Sequence, residues 1–313
     1  MSGNATAWKS DNYAFVGKTF DMRYAQRINT LAPIMGEATT NSIDYELTGA
    51  GGYGEMERYD GENLNKGAQK RGFKTIITPQ EYSKTEIVGY KQAKVDKSGA
   101  CRRVGTLLGD SAAMTVYMHL LRVFGGAFDP KKVGGDGVCW ASEKHPVASK
   151  GSEGRIYIPD PDAGYYSNVS HDALSVAAIT DLQSRANRFV TPDGLPFLCQ
   201  MDTLLVSPEL EAQAKKLCGD DARLDPETAA HGANPVRGMK YIVIGGGDAG
   251  FTKNQWAVCD RTLMKDMFKL IYITKPKVVQ HDLDNPFQDP HTAYVDFGIG
   301  WGDGRMICFS DPG

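Results

Sequence analysis

One stretch of this sequence cannot fold by itself, and it constrains what the rest of the chain can be. Residues 48–72 read TGAGGYGEMERYDGENLNKGAQKRG, with glycine at positions 49, 51, 52, 54, 61, 67 and 72. Glycine at this density rules out a compact helix or a long regular strand. The few apolar side chains cannot bury enough surface to offset the entropy that ordering costs. We therefore expect something outside this stretch to order it.

Charge divides this region into two oppositely charged segments. Residues 44–62 carry six acidic residues against Arg58 alone, a local balance of −5. Residues 65–104 carry ten basic residues against three acidic ones, a local balance of +7. Neighbouring segments of opposite charge favour contact with another part of the chain or with a second copy of it.

The residues after the glycine-rich stretch predict strands, and the residues before it predict an arm and one short helix. The segment FKTIITPQEYSKTEIVGYKQA alternates polar and apolar residues, which predicts two strands interrupted at Pro79. Residues 46–93 together therefore form a long β-rich loop in this prediction. Residues 1–20 have no clear period and are predicted to form an extended arm. A short helix is predicted around 21–31, ended by Pro33.

Residues 101–124 contain the clearest helical pattern in the chain. Spacings of three and four separate Val104, Leu107, Leu108, Ser111, Thr115, Met118 and Leu121. Gly125 and Gly126 follow as stop signals. The pattern predicts one helix roughly 36 Å long.

The second half of the chain mixes helices and strands. Residues 170–188 predict a helix with Ser170 as N-cap. The segment SPELEAQAKKLCG predicts a short helix capped by Ser207, with Pro208 in the first helical position and Gly219 at the end. The strand patterns are residues 203–206, NPVRGMKYIVI, WAVCD, MFKLIYI and TAYVDFGIGW. Short connections imply mostly antiparallel pairing, so the predicted class is α+β.

The segment YIVIGGGDAG has the spacing of a dinucleotide-binding fingerprint, because Gly245, Gly247 and Gly250 fit G-x-G-x-x-G. That fingerprint holds a pyrophosphate only where the glycine turn opens a helix within a βαβ unit. Here FTKNQWAVCD follows, which predicts a return strand and no helix. We therefore predict an exposed glycine-rich hairpin turn, and a dinucleotide-binding oxidoreductase remains a less favoured alternative.

The other candidate chemical groups are better explained as structural. GDSAA at 109–113 is one residue short of a nucleophile elbow and lies inside the predicted long helix. The acidic residues of IPDPDAG and HDLDNP form turns and lack the ligand count of a calcium loop. The six cysteines stand singly and predict buried, reduced thiols. We therefore expect no catalytic residues, no metal and no cofactor, and we expect that the protein is not an enzyme.

Overall charge and hydropathy exclude two further classes. The formal net charge of −3 gives no global basic field for nucleic acid. No apolar run is long enough to cross a membrane, and the first residues lack the pattern of a secretory leader. Neither membrane insertion nor secretion is expected.

A set of short motifs occurs in a characteristic order along the chain. They are Tyr59, Asp60 and Gly61; WASEKHP at 140–146; Ser167 and Asn168; LLVSPELEAQA at 204–214; NPVRG at 234–238; WAVCD from Trp256; KLIYI from Lys269; and YVDFGIGWGDGR at 294–305. In these motifs, from about Ile28 to the C-terminus, the chain resembles the major capsid proteins of tailed bacteriophages with the HK97-type fold. It is most similar to the Mu-like major head subunit family.

The resemblance implies an α+β HK97-type architecture with five segments. These are an N-terminal arm (1–45), an extended β E-loop (46–93), a P-domain (94–150) with the spine helix at about 101–124, an A-domain (151–275), and strands that return to the P-domain (276–313). Ordering of the E-loop by a neighbouring subunit would explain its poor apolar content. The predicted inter-subunit contacts from this loop are Glu55, Glu57, Arg58, Lys66, Lys70, Arg71 and Lys74.

The function that the resemblance implies is self-assembly into an icosahedral shell around the phage genome. The expected partners are copies of the chain itself, in hexamers and pentamers, with scaffolding, portal and decoration proteins as further candidates. Packaged double-stranded DNA would lie nearby without specific binding. The expected location is the virion, and the host cytoplasm during assembly. Another phage structural protein, of the tail or the scaffold, is the main alternative.

Overall fold

The structure is a computed structural model that describes residues 3–27, 30–49, 55–56, 58–59, 72–95, 100–153, 156–219, 234–245, 249–281, 285 and 287–313. Its helices are α1 (Gly3–Gln26), α2 (Tyr90–Lys94), α3 (Ala100–Gly125), α4 (Val176–Ala186), α5 (Glu211–Cys218) and α6 (Arg261–Met267). Its strands are β1 (Gly36–Thr39), β2 (Tyr45–Thr48), β3 (Lys74–Ile77), β4 (Gln80–Gly89), β5 (His145–Pro146), β6 (Ser149–Glu153), β7 (Ile156–Pro159), β8 (Tyr165–Tyr166), β9 (Val169–Ser170), β10 (Thr203–Val206), β11 (Lys240–Val243), β12 (Trp256–Cys259), β13 (Phe268–Gln280), β14 (Gln288–Trp301) and β15 (Ile307–Ser310).

A four-stranded sheet, here called the first sheet, has the order β1-β13-β14-β4. Its centre is the long antiparallel hairpin of β13 and β14, paired from Phe268 with Trp301 to Gln280 with His291. Strand β4 is antiparallel to β14 along its full ten residues. Strand β1 is parallel to the start of β13. The first sheet therefore joins residues that lie more than 200 positions apart in sequence.

The second sheet has five strands in the order β11-β10-β12-β15-β9. Successive side chains of β12 point to opposite faces of this sheet. Trp256 and Val258 pack with α4 and α5, whereas Ala257 and Cys259 pack on the opposite face. All four side chains have no exposed surface. Apolar residues at every position of β12 are what a strand buried on both faces requires.

Helices α1 and α3 lie side by side on one face of the first sheet. Val16 and Phe20 of α1 and Val104 and Leu108 of α3 share a core with residues of β4, β13 and β14. The two helices approach closely at Gly105, where a Cβ atom would lie 2.4 Å from the carbonyl oxygen of Val16. Only glycine allows this separation, so Gly105 fixes how the helices pack.

An aromatic cluster connects the two sheets at the C-terminal end of α3. The Trp140 ring stacks on Trp301 at 5.2 Å and on Phe268 at 5.4 Å between centroids. It also contacts Phe124 of α3 and Phe309 of β15. These contacts join α3 and both sheets into one continuous core.

The structure corrects two helix predictions. Most of the predicted extended arm, residues 1–20, belongs to the 24-residue helix α1, which ends before the predicted 21–31 helix would end. Among the described side chains of α1, Val16 and Phe20 are buried, and both pack on α3 and the first sheet. Tertiary packing therefore stabilises α1 more than an apolar period of its own does. The predicted 170–188 helix begins later, at α4, because Ser175 is its N-cap and accepts a hydrogen bond from the Ala178 amide.

Other predicted elements are confirmed. Helix α3 matches the predicted 101–124 helix within one residue at each end, and β3 and β4 are separated by Pro79. Strand β10 has the predicted bounds, and Pro208 begins a short 3-10 turn that leads into α5. Most strand pairs are antiparallel, as predicted. The division into five segments stays a prediction, although β13 crosses its boundary at 275–276.

Candidate functional site

The residues that begin and end the predicted E-loop form a two-stranded ribbon, β2 paired with β3. Antiparallel pairing matches Tyr45 with Ile77 and Thr48 with Lys74. An ion pair joins the Lys74 ammonium to the Glu46 carboxylate across the ribbon, a diagonal contact of the kind that stabilises adjacent strands. One acidic and one basic residue of the oppositely charged segments therefore pair within a single chain.

The ribbon is fixed to the first sheet by a small apolar cluster. Leu47 and Ile77 of the ribbon pack on Ile271 of β13. Two glycines of β14 make room for this contact, since a Cβ atom on Gly298 or Gly300 would lie 2.7 or 2.6 Å from the Ile77 side chain. Gly298 and Gly300 of the GIGW segment therefore form the surface of the sheet on which the ribbon packs.

Two of the seven predicted contact residues are exposed. Glu55 and Arg58 lie beyond the ribbon on the surface. Lys74 lies on β3 in its ion pair with Glu46. The other four, Glu57, Lys66, Lys70 and Arg71, lie outside the described residues. Contact between these seven residues and a second subunit stays a prediction.

Sequence reasoning missed the large apolar side chains beside these charges. Met56 is 95% exposed and Tyr59 is 61% exposed. Exposed side chains of this size next to charged ones are a composition that favours protein contact. Tyr59 belongs to one of the motifs in which the chain resembles the capsid family. That motif was the signal in the sequence that could have indicated this contact surface.

The glycine-rich segment 241–250 is not a hairpin turn, so that prediction was wrong. Strand β11 is parallel to β10, and β12 pairs with the other edge of β10, so the connection crosses the end of the sheet. It is not fully exposed either: Gly250 is buried and Gly245 is partly buried. Gly247 lies outside the described residues.

Close packing explains the two described glycines of this connection. A Cβ atom on Gly245 would lie 2.7 Å from the Pro208 ring, and one on Gly250 would lie 2.5 Å from the Ile244 carbonyl oxygen. Between Ala249 and β12, the described residues contain no α-helix. The helix N-terminus that a dinucleotide phosphate needs is missing from this described part of the chain.

Buried ionic groups occur elsewhere, and their partners indicate structural roles. Arg305 donates to both carboxylate oxygens of Asp303 and to the Val190 carbonyl oxygen. Burial disfavours its charge, yet the Asp303 carboxylate raises the pKa of Arg305 overall. Burial raises the pKa of the nearby Tyr166 hydroxyl well above the ordinary value. This phenol therefore stays protonated at neutral pH.

The thiols are also unreactive by their surroundings. Burial raises the pKa of Cys199 and of Cys218 to about 11, and it raises the pKa values of Cys259 and Cys308 as well. The thiolate is the nucleophilic form of cysteine, so these four residues are suited to packing rather than to catalysis.

The described residues also lack two further features. They contain no group of three or more His, Cys, Asp or Glu side chains placed to hold a metal ion. None of their helices combines the length and the apolar character needed to span a membrane.

Comparison with solved structures finds the same fold in capsids. The chain is similar to the capsid of an empty GTA particle, with TM-score 0.52, 14% identity and 90% of each chain covered. It is similar to the procapsid of bacteriophage JBD30, with TM-score 0.54, 12% identity, and 99% of this chain and 76% of that chain covered. The mature capsid of bacteriophage PhiM1 matches with TM-score 0.51, 13% identity, and 89% and 85% covered. No protein-family model and no curated protein matches the sequence.

The chain has the HK97-type capsid fold. Within this fold, α3 is the helix that the sequence analysis expected as the spine helix, and the β2–β3 ribbon begins the segment expected as the E-loop. Sequence identities of 12–14% are too low for whole-sequence similarity to reveal the relation. The short motifs nevertheless led to the correct fold, because several of them form the sheets and the aromatic cluster between them.

Proposed function

We propose that this chain is a major capsid (head) protein that self-assembles into an icosahedral shell around a phage genome. One observation carries the proposal: the fold shared with three capsid structures extends over 89–99% of this chain. The role is structural rather than enzymatic. The protein would then be located in the virion, after assembly in the host cytoplasm.

The described surface supports this role. A small apolar cluster holds the E-loop ribbon on the first sheet, and the ribbon leads to exposed Glu55, Met56, Arg58 and Tyr59. A segment attached in this way is available to contact a second copy. Copies related by closed symmetry would repeat a modest contact many times and make a stable container.

The finer assignment is also part of the proposal. The ordered motifs favour the Mu-like major head subunit family among HK97-type proteins. Hexamers and pentamers of the chain would form the shell, with scaffolding, portal and decoration proteins as further partners. A net charge of −3 suits a wall that encloses DNA without binding it tightly.

Negative-stain electron microscopy and size-exclusion chromatography of the purified chain test the proposed function. Closed shells, or rings of hexamer size, are expected. Open tubes would favour a tail protein. A monomer that binds NADH with micromolar affinity would instead favour the oxidoreductase alternative.

Variants of the E-loop test whether it bridges subunits. Deletion of residues 61–72 should abolish closed shells while leaving the subunit folded. Glu55→Lys should lower shell yield more than Asp162→Lys, a matched charge reversal at a residue whose side chain is 85% exposed near β7. Normal shells from the deletion variant would contradict the bridging role.

A further inference from the structure

A buried polar cluster attaches α1 to the far end of the β13–β14 hairpin. Its members are Asn12 of α1, Gln280 of β13, and Asp289 and His291 of β14. Asp289 and His291 have no exposed surface. Strand pairing places Gln280 opposite His291, so residues from three elements meet in one buried site.

The Asp289 carboxylate is the centre of this cluster. Its Oδ2 accepts a hydrogen bond from the Asn12 amide at 2.8 Å, and its Oδ1 accepts one from the Gln280 amide at 2.7 Å. His291 Nε2 lies 2.9 Å from Oδ2. A buried carboxylate is tolerated only when donors surround it, and one of these donors comes from α1.

The geometry of His291 favours its neutral form. In the neutral ring, only the tautomer with the proton on Nε2 can donate to Asp289, and that tautomer leaves Nδ1 unprotonated. Nε2 also lies 3.0 Å from the Asn12 amide nitrogen. Nδ1 is buried and has no hydrogen-bond partner among the described residues. The ring stacks on Tyr13 of α1, with centroids 6.4 Å apart and planes 5° apart. A proton added at Nδ1 would therefore be buried beside α1 without an acceptor.

The charged groups around His291 do not remove the free-energy cost of burying a proton on Nδ1. Burial lowers the pKa of His291, and the Asp289 carboxylate offsets the shift only in part. Strand β4 contributes Glu86, which is opposite His291 in register but exposed. Helix α1 contributes the Lys9 carbonyl oxygen, which accepts from the Gln280 amide, and the Tyr13 hydroxyl, which donates to the Val278 carbonyl oxygen. Helix α3 lines the adjacent core with apolar Val104 and Leu108.

We propose that Asn12, Gln280, Asp289 and His291 form an acid-released latch that holds α1 on the first sheet. Protonation of His291 adds a buried charge beside Tyr13, and detachment of α1 exposes that charge to water. Acid therefore shifts the equilibrium towards the detached helix. The latch concerns contacts within one chain, so it does not depend on the proposed capsid function.

The direction of the effect follows from linkage. A histidine with a lowered pKa in the docked state contributes stability that is complete above its ordinary pKa, and that is lost as the pH falls below this value. At about pH 5.5, one unit below the ordinary value of about 6.5, the population of the detached helix should rise by up to about tenfold.

Hydrogen exchange of the full chain, in the assembly state in which it purifies, tests the latch. Protection factors are corrected for the intrinsic effect of pH on exchange, and they are compared near pH 7.5 and near pH 5.5. Amides of α1 should lose up to about tenfold in protection on acidification. Amides of α4, which packs on the second sheet, should keep their protection. Unchanged protection of α1, or equal loss in α4, would overturn the proposal.

Two variants assign the effect to this cluster. His291→Gln retains an amide that can donate to Asp289 but cannot be protonated, so its α1 protection should not depend on pH. His119→Gln is the matched control, because burial also lowers the pKa of His119 but that residue lies on α3. The control should keep the acid response of α1. Persistence of that response in His291→Gln would assign it to another group.

The Asn12→Ala variant tests the latch independently of any change at His291. Asn12→Ala removes the donor from α1, so its α1 protection near pH 7.5 should already be lower than that of the parent chain. Acid should then have a smaller further effect. Unchanged α1 protection near pH 7.5 in this variant would show that the cluster does not hold the helix.

Discussion

The two sheets of this protein differ in what covers them. The second sheet is buried on both faces, and every residue of β10, β12 and β15 is buried. The first sheet is covered on one face by α1 and α3, and among the described residues the β2–β3 ribbon packs on the other face at Ile271, Gly298 and Gly300. Seven of the ten residues of its edge strand β4 are exposed.

This difference separates a folding core from a contact surface. Apolar burial on both faces stabilises the second sheet. The first sheet presents an edge strand whose outer side has no strand partner among the described residues. Natural proteins protect such edges or use them to bind. We therefore expect substitutions in the second sheet to affect folding, and those near the ribbon to affect assembly.

The largest effect is expected in the core of the second sheet. Trp256 has no exposed surface, and its indole N–H donates to the Asp172 carbonyl oxygen at 3.0 Å. Trp256→Ala should lower the free energy of unfolding by about 3–5 kcal/mol. Urea denaturation measures this change, and Met56→Ala, at a 95% exposed residue, is the control. Equal effects of the two variants would contradict the comparison.

The next effect is expected where α1 meets α3. Gly105→Ala should cost about 1–3 kcal/mol, because its Cβ would lie 2.4 Å from the Val16 carbonyl oxygen. Gly17→Ala is the matched control, since no atom lies within 4 Å of its added Cβ. That substitution should be neutral or stabilising by up to about 1 kcal/mol. If denaturant unfolding gave both variants the same stability, the close helix contact would be wrong.

A smaller effect is expected at the seat of the ribbon. Gly300→Ala brings a methyl group to 2.6 Å from Ile77, whose side chain must move. The cost should be about 1 kcal/mol, with faster proteolysis between the two ribbon strands. Ile77→Val in the same chain should recover part of both losses, and a lack of coupling between the two substitutions would argue against the contact.

The smallest effect on stability is expected at the ion pair of the ribbon. Lys74→Ala should lower the free energy of unfolding by less than about 1 kcal/mol, and salt should reduce this effect further. Lys150→Ala is the control, because Lys150 pairs with Asp160 and Asp162 away from the E-loop. Shell yield should fall only for Lys74→Ala. A comparable loss of shells for Lys150→Ala would remove the special role of the ribbon.

Local patterns predicted some elements well. The period of α3, the strand segment WAVCD and the turn proline Pro208 are each specified by residues close in sequence. Residues 3–20 of helix α1 were not predicted to be helical, because Val16 and Phe20 become a core only beside α3 and the hairpin. The same limit explains the error at Gly245 and Gly250, since their segment depends on β10 lying between β11 and β12.

The sequence by itself determined the α+β class, the long helix α3, the strands β3, β4 and β10 to β14, and the resemblance to HK97-type capsid proteins. Tertiary structure alone decided that α1 docks through Asn12 and the buried Asp289–His291 pair, and that the E-loop ribbon seats on Gly298 and Gly300. The physical reason is the separation in sequence over which each effect acts. Periodicity and turn chemistry act between near neighbours, whereas these contacts join residues more than 200 positions apart, whose meeting depends on how the sheets and helices pack.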